Sequence, residues 1–296
     1  MFRPLTVQQP TELLAFLFAS LPEVKKNKVR HSLKFEAILV NGRATTQFDH
    51  PLRPGDVVSM RSEKNLRTCN RLPAAMKIHF EDEHLIVIDK PKNLLSMASE
   101  AEREKTAYAF LTDYVRGGNE RSRARIFIVH RLDRETSGLM VFARTGEVKE
   151  LLQANWEQGE KRYLAIVEGG PKADSGVLES DLDEASPHKV YSVPASNLTR
   201  HAITHYEVLK RNARMALVEL RLGTGRRHQI RVQLAEIGCP IIGDEKYSAR
   251  TDPAKRLGLH AWLLKFRHPI TGKDLQFESP LPPELAKLFS AAVVSK

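Results

Sequence analysis

The chain has little that would tie it to an oxidising compartment or a membrane. Its 296 residues include only two cysteines, Cys69 and Cys239. Two are too few for a disulfide framework, and these lack the spacing of a zinc site. No apolar run reaches the length of a bilayer span. The stretch LLAFLFA, residues 13–19, is short, follows Glu12, and has Arg3 as its only basic side chain upstream, so it reads as a short helix rather than a leader. Internal repeats and extended low-complexity segments are absent, so nothing in the sequence suggests a solenoid. Acid is also short: 36 Asp and Glu face 46 Lys and Arg, leaving a formal charge of +10. Such an excess favours a polyanionic partner, nucleic acid ahead of an acidic membrane surface. With 42% apolar and 28% charged residues, the composition is that of a globular protein with a core, expected in the cytosol.

The order of apolar runs and turns suggests two units. Residues 1–65 form a small α+β unit: a helix over 13–21, a second helix, a strand over 37–40, an Asn41-Gly42 turn of the kind a tight hairpin needs, and a returning strand after Pro54-Gly55. A polar stretch without apolar periodicity makes 66–75 a linker. The larger unit, 76–296, carries strands over 85–88, 126–129, 139–143, 163–167, 205–209 and 217–222. Helices are expected over 101–115, 147–156 and 228–237. Clustered strands with irregularly spaced helices argue for an α+β domain built on a large mixed or antiparallel sheet.

Three stretches carry chemistry. In VHRLDRETSGLMVFART, residues 129–145, Asp133 sits between Arg131 and Arg134 in a loop joining two apolar runs. A loop on so rigid a base suits a catalytic carboxylate, although an Asp there could equally cap a turn beside solvated arginines. In EKRYLAIVEGG, residues 160–170, Tyr163 opens an apolar strand. Packing explains such an aromatic, and so does a ring facing a ligand. In ELRLGTGRRHQIRVQLAEIGCPIIGD, residues 219–244, a strand bends through Gly223-Thr224-Gly225 into a helix whose Ile230, Leu234 and Ile237 share a face. Gly238 and Pro240 stop it. Arg226, Arg227, His228 and Arg231 gather at its N-terminal end, where free backbone N–H groups would add to their charge. That favours a phosphate or carboxylate, the alternative being an ordinary basic turn. The spacing is not that of a Walker loop.

Together these stretches resemble the RluA-type family of pseudouridine synthases. HRLDRETSGL (130–139), KRYLAIV (161–167), TGRRHQIRVQLAEIGCPIIGDEKY (224–247) and LHAWLLKFRHPITG (259–272) carry the likeness, with IVIDKPKNLL (86–95) as the family's strand and Lys-Pro turn. The turn usually continues to a Gly; here Asn93 takes that place, and Asn tolerates the left-handed conformation. The resemblance covers nearly all of 75–285. It implies an RNA uridine-to-pseudouridine isomerase needing no cofactor and no metal, with a central basic cleft. It implies Asp133 as the catalytic aspartate, Arg131 as the side chain that helps displace the target base, Tyr163 as the active-site tyrosine and Arg231 as the basic partner of the aspartate. Arg226, Arg227 and His228 fall in the same motif as substrate contacts. The first unit resembles the small S-four-like (alpha-L) RNA-binding domain through Leu33, ILVNG (38–42) and Pro54-Gly55-Asp56, although Glu36 replaces a glycine usual before the strand. Lys25, Lys26, Lys28 and Arg30 would then lie on a helix facing the RNA backbone, the alternative being a solvated face.

The expected partner is RNA, ribosomal ahead of transfer RNA, with no membrane. Oligomeric state is not legible. The competing readings are a non-catalytic RNA-binding or ribosome-assembly protein on the same fold, and a metal-dependent nuclease using His130, Asp133 and His228.

Overall fold

The computed structural model describes residues 4–290 except 25, 35–36, 61–71, 100–101, 103, 118, 120–121 and 187, and it leaves out the side chains of 28, 31, 34 and 290. The chain divides into two compact units, Met1–Arg71 with Asp113–Arg123, and Leu72–Thr112 with Ala124–Lys296. Of the expected linker, 66–71 lie outside the described residues, as does Cys69. Among the described residues no helix is long and apolar enough to cross a membrane.

In the first unit, helices Leu13–Ser20 and Lys26–Lys34 accompany a small sheet ordered Leu5–Thr6, Val57–Met60, Ile38–Val40, Arg43–Ala44. Leu13, Leu17, Val29, Leu33, Ile38, Val40, Leu52 and Val58 make its core. The hairpin turn forms as the Asn-Gly pair requires, with φ of 51° at Asn41 and 78° at Gly42.

The second unit is built on one mixed sheet of eleven strands. Across it run Tyr191–Val193, Ser175–Asp183, Arg200–Arg211, Met215–Leu222, Glu160–Glu168, Leu259–Arg267, Ser137–Ala143, Leu85–Lys90 and Lys77–Glu81. Ser137–Ala143 is buried at every position, as its unbroken apolar run demands of a strand covered on both faces. It lies antiparallel to Leu85–Lys90 and parallel to Leu259–Arg267, where Ser137 pairs with His260 and Gly138 with Ala261. Tyr163 pairs with Ala261 from the other side. One strand therefore sets the spacing between the Asp133 loop and the Tyr163 strand.

Several expected elements come out shorter. The strand expected at 126–129 is reduced to Phe127–Ile128, both half-buried. The helix expected from 101 begins at Ala107, because Thr106 Oγ1 caps it by accepting from Ala109 N at 3.0 Å. Thr145 likewise caps Gly146–Ala154. The basic-motif helix runs Gln229–Glu236, and Gly238 with φ 75° turns the chain away. Ile237 thus leaves the face it was expected to share with Ile230 and Leu234 and is 43% exposed, whereas they are buried. Asn93 does adopt the left-handed conformation the Lys-Pro turn needs, with φ 61°.

Candidate active site

The loop 130–136 hangs between two buried segments and is fastened from beneath. Leu132, itself buried, donates its N–H to Ser96 Oγ at 3.1 Å, and the same hydroxyl donates to Leu132 O at 2.7 Å. Lys90, fully buried, donates through Nζ to Leu94 O at 2.7 Å, Pro91 O at 3.0 Å and Arg134 O at 3.3 Å. Burial drives the Lys90 pKa down to about 7, against the pull of the Asp133 and Glu135 carboxylates. Thr136 N donates to Asp133 O at 3.2 Å and closes the turn. With its main chain held on both sides, Asp133 projects a half-buried carboxylate.

That carboxylate meets a guanidinium. Arg231 Nη1 donates to Asp133 Oδ2 at 3.2 Å, and Glu135 Oε2 stands 3.5 Å from the same nitrogen. The other edge of the guanidinium is occupied. Nε and Nη2 donate to the two oxygens of buried Asp244 at 2.7 and 2.8 Å, a fork that fixes the plane of the group. Burial opposes the charge on Arg231, but the Asp244 pair and the nearby carboxylates outweigh it and hold its pKa above the ordinary value. Tyr247 packs against the guanidinium, 5.3 Å from ring centre to Cζ, and its hydroxyl lies 2.8 Å from His228 Nδ1. His228 Nε2 is 3.9 Å from Asp133 Oδ2. Burial lowers the His228 pKa despite that carboxylate, so the ring is neutral at pH 7. Burial, reinforced by Asp133, raises the Tyr163 pKa well above the phenol range, so Tyr163 keeps its proton.

Six of the residues singled out in the sequence come together. Arg131, Asp133, Tyr163, Arg226, His228 and Arg231 line one cavity of about 60 Å³, with Leu132, Leu222, Ile230 and Leu259 as its apolar walls. Arg227 is not among them. Its guanidinium donates to the backbone oxygens of Glu184 and Ser186, and its N–H goes to Glu184 Oε1 at 2.7 Å, so it braces the 184–186 loop. The N–H of Arg226 is taken by Gln229 Oε1 at 2.9 Å. The expected supply of free main-chain donors is therefore spent at these two positions. His130 lies away from Asp133, its ring stacked on Trp156 at 4.7 Å and its Nε2 accepting from Val141 N at 3.1 Å. In the first unit Lys26 and Arg30 share a helix face over the Phe18 ring, at 5.5 and 5.4 Å. Lys25 and the side chain of Lys28 lie outside the described residues. A larger concavity, about 630 Å³ beside Trp156 and Phe266, contains none of the predicted site residues. Its lining includes Glu160, Lys265, Arg267 and Asp274 instead.

Sequence reasoning gave no role to Asp244, Tyr247, Ser96 or Lys90. Asp244, Tyr247 and Lys90 stand inside quoted motifs, which is their one signal. Ser96 has no such signal, and the contacts of both Ser96 and Lys90 run through backbone groups that no spacing reveals.

A carboxylate held by a forked guanidinium thus stands beside a tyrosine in a small cavity with Arg131 and Arg226 at its walls. Comparison with known proteins identifies the family. Residues 84–236 match the family described as RNA pseudouridylate synthase. An uncharacterized RNA pseudouridine synthase of Bacillus subtilis (strain 168), YlyB, is 32% identical over 95% of this chain and 94% of its own length. Ribosomal large subunit pseudouridine synthase D of Vibrio cholerae is 30% identical over 95% of this chain and 90% of its own. Among solved structures, human RNA pseudouridylate synthase domain containing 4 superposes with a TM-score of 0.60 and 28% identity, over 71% of this chain and 90% of that one. The chain belongs to the RluA-type RNA pseudouridine synthase family and is an isomerase of that class.

Proposed function

We propose that this enzyme converts uridine to pseudouridine in ribosomal RNA, with Asp133 acting at the glycosidic bond. The observation that carries the reading is the Asp133–Arg231–Asp244 chain of charge beside Tyr163. Isomerisation breaks the C1′–N1 bond, turns the freed uracil, forms C1′–C5, and moves the C5 proton away while N1 gains one. The base must first leave its stack, at a cost of a few kcal/mol. Arg131, exposed at the mouth of the cavity, is placed to occupy the vacated position. The Asp133 carboxylate acts on the sugar or ring as a nucleophile, or faces the developing sugar cation. Arg231 aims it, and the Asp244 fork in turn aims Arg231. Tyr163, protonated throughout the neutral range, supports the base with its ring and hydroxyl rather than serving as a ready-made base. Arg226 contacts flanking phosphate.

The first unit, with Lys26 and Arg30 on one helix face and a buried Leu33 beneath, acts as an S-four-like RNA-binding module joined to the catalytic domain. The choice of ribosomal RNA rests on this module and on relatives named as ribosomal large subunit synthases. Mapping pseudouridines in cells with and without the protein tests it. Loss of one or more ribosomal sites is expected; an unchanged ribosomal pattern with a lost transfer RNA site overturns it.

A further inference from the structure

A second polar chain, which the chemistry above does not use, begins at Ser137, just after the Asp133 loop. Arg256 Nη2 donates to Ser137 Oγ at 2.5 Å, and Ser137 Oγ lies 2.9 Å from His260 Nδ1. His260 Nε2 is 3.1 Å from both the carbonyl and the hydroxyl of Ser279, and Ser279 Oγ donates to Asp89 Oδ2 at 2.5 Å. Ser279 O can only accept, and Ser279 Oγ gives its proton to Asp89, so His260 Nε2 carries the ring proton. Nδ1 of the neutral imidazole then accepts from the Ser137 hydroxyl, whose oxygen also accepts from Arg256. Every polar atom of the imidazole is satisfied in that one tautomer. Arg256, Ser137, His260 and Ser279 are all buried, and Arg256 balances its charge on Glu284 at 3.0 Å.

Such a chain is an expensive way to fill a core that leucines would fill. What a fully satisfied buried network adds is a single arrangement. Its location says which. Ser137 and His260 are partners in the one parallel ladder of the sheet among the described residues. Their chain neighbours Thr136 and Leu259 line the Asp133 cavity. The next pair, Gly138 and Ala261, is so close that a Cβ on Gly138 would sit 2.2 Å from Ala261 O. Ala261 in turn pairs with Tyr163. A slip of one residue along this ladder would carry the Asp133 loop about 3.3 Å past Tyr163.

We propose that Arg256, Ser137 and His260 form a buried register clamp that positions Asp133 against Tyr163 and the bound uridine. They are positioning residues, not catalytic ones, and the inference rests on the reading of Asp133 as the reacting group. A misplacement near 1 Å costs about a hundredfold in rate, so the clamp is read in turnover rather than in RNA affinity.

The test is single-turnover tritium release from RNA labelled at uridine C5, at saturating full-length enzyme. The variants are Ser137→Ala, His260→Leu, His260→Asn and Asp133→Asn, each with RNA affinity and urea unfolding measured alongside. Ser137→Ala and His260→Leu should lose between about tenfold and a hundredfold in rate while RNA Kd stays within about twofold. His260→Asn restores a polar group near the Nδ1 position and should regain part of that loss. Unchanged rates per folded molecule, with only the urea midpoint lowered, would overturn the positioning role. So would loss of the fold in Ser137→Ala and both His260 variants, which would make the network a general core element. Turnover surviving in Asp133→Asn is a different failure: it removes the reading on which the clamp rests.

Discussion

Replacing Arg231 by methionine separates the two jobs of that guanidinium. Arg231 is 3% exposed and Asp244 1% exposed, with two short bonds between them. Arg231→Met therefore strands a carboxylate in the interior. Breaking a buried pair on one side costs about 3–5 kcal/mol, which is roughly two to four decades in the folding equilibrium. Converting both partners, Arg231→Met with Asp244→Leu, removes the stranded charge. Apolar replacement of a whole buried pair is commonly neutral, so most of the loss should return, with a coupling of at least about 2 kcal/mol. Turnover should not return, because Asp133 still lacks the group that holds it. Urea unfolding followed by the fluorescence of Trp156 and Trp262, both in the catalytic unit, gives the stabilities. Tritium release gives the activity. A double variant as unstable as the single, or one that regains turnover, would refute the assignment of Arg231 to both roles.

Acid should weaken the fold through His130. Burial, aided by Lys161, lowers its pKa to about 3, so the native ring stays neutral while the unfolded one takes up a proton below its ordinary value of 6.5. The stabilisation is complete above pH 6.5 and is lost as pH falls towards 3. Between pH 7 and 5 this amounts to roughly 1–2 kcal/mol, and His130→Gln should flatten that slope; an unchanged slope would contradict the account. Gly138→Ala, at φ 117° and against the Ala261 backbone, should cost about 3 kcal/mol or more. The control Gly225→Ala, which meets open space, should cost less than about 1 kcal/mol in the same unfolding assay. Reversing Lys26 and Arg30 to Glu should weaken RNA binding and flatten its dependence on log salt by at least roughly 1.4, for two lost contacts to single-stranded phosphate. An unaltered slope would remove the helix from the interface.

Much of the catalytic unit was legible because its signals are local. The apolar runs of Leu85–Lys90 and Ser137–Ala143 announce buried strands, and Gly238 marks the end of the Gln229–Glu236 helix. What stayed hidden depends on distant partners. Asp244 follows Gly243 and precedes Glu245-Lys246, the look of a surface turn, yet the Arg231 fork buries it. Arg227 sits in a basic run that suggests RNA, yet it braces a loop. Strand Ser175–Asp183 was not expected at all. Its half-exposed, polar face carries little apolar alternation, and pairing with Arg200–Arg211 is what makes it a strand. The parallel ladder of Ser137 with His260 joins segments far apart in sequence, so no local pattern foretells it.

The claim on which the rest depends is that the Asp133 carboxylate performs the glycosidic exchange. Asp133→Asn keeps the shape of the side chain and removes its charge. Its rate of tritium release, measured with RNA affinity on the same preparation, tests the claim most directly. The account predicts loss of pseudouridine formation with affinity within a few fold of wild type. Substantial turnover in Asp133→Asn would contradict it.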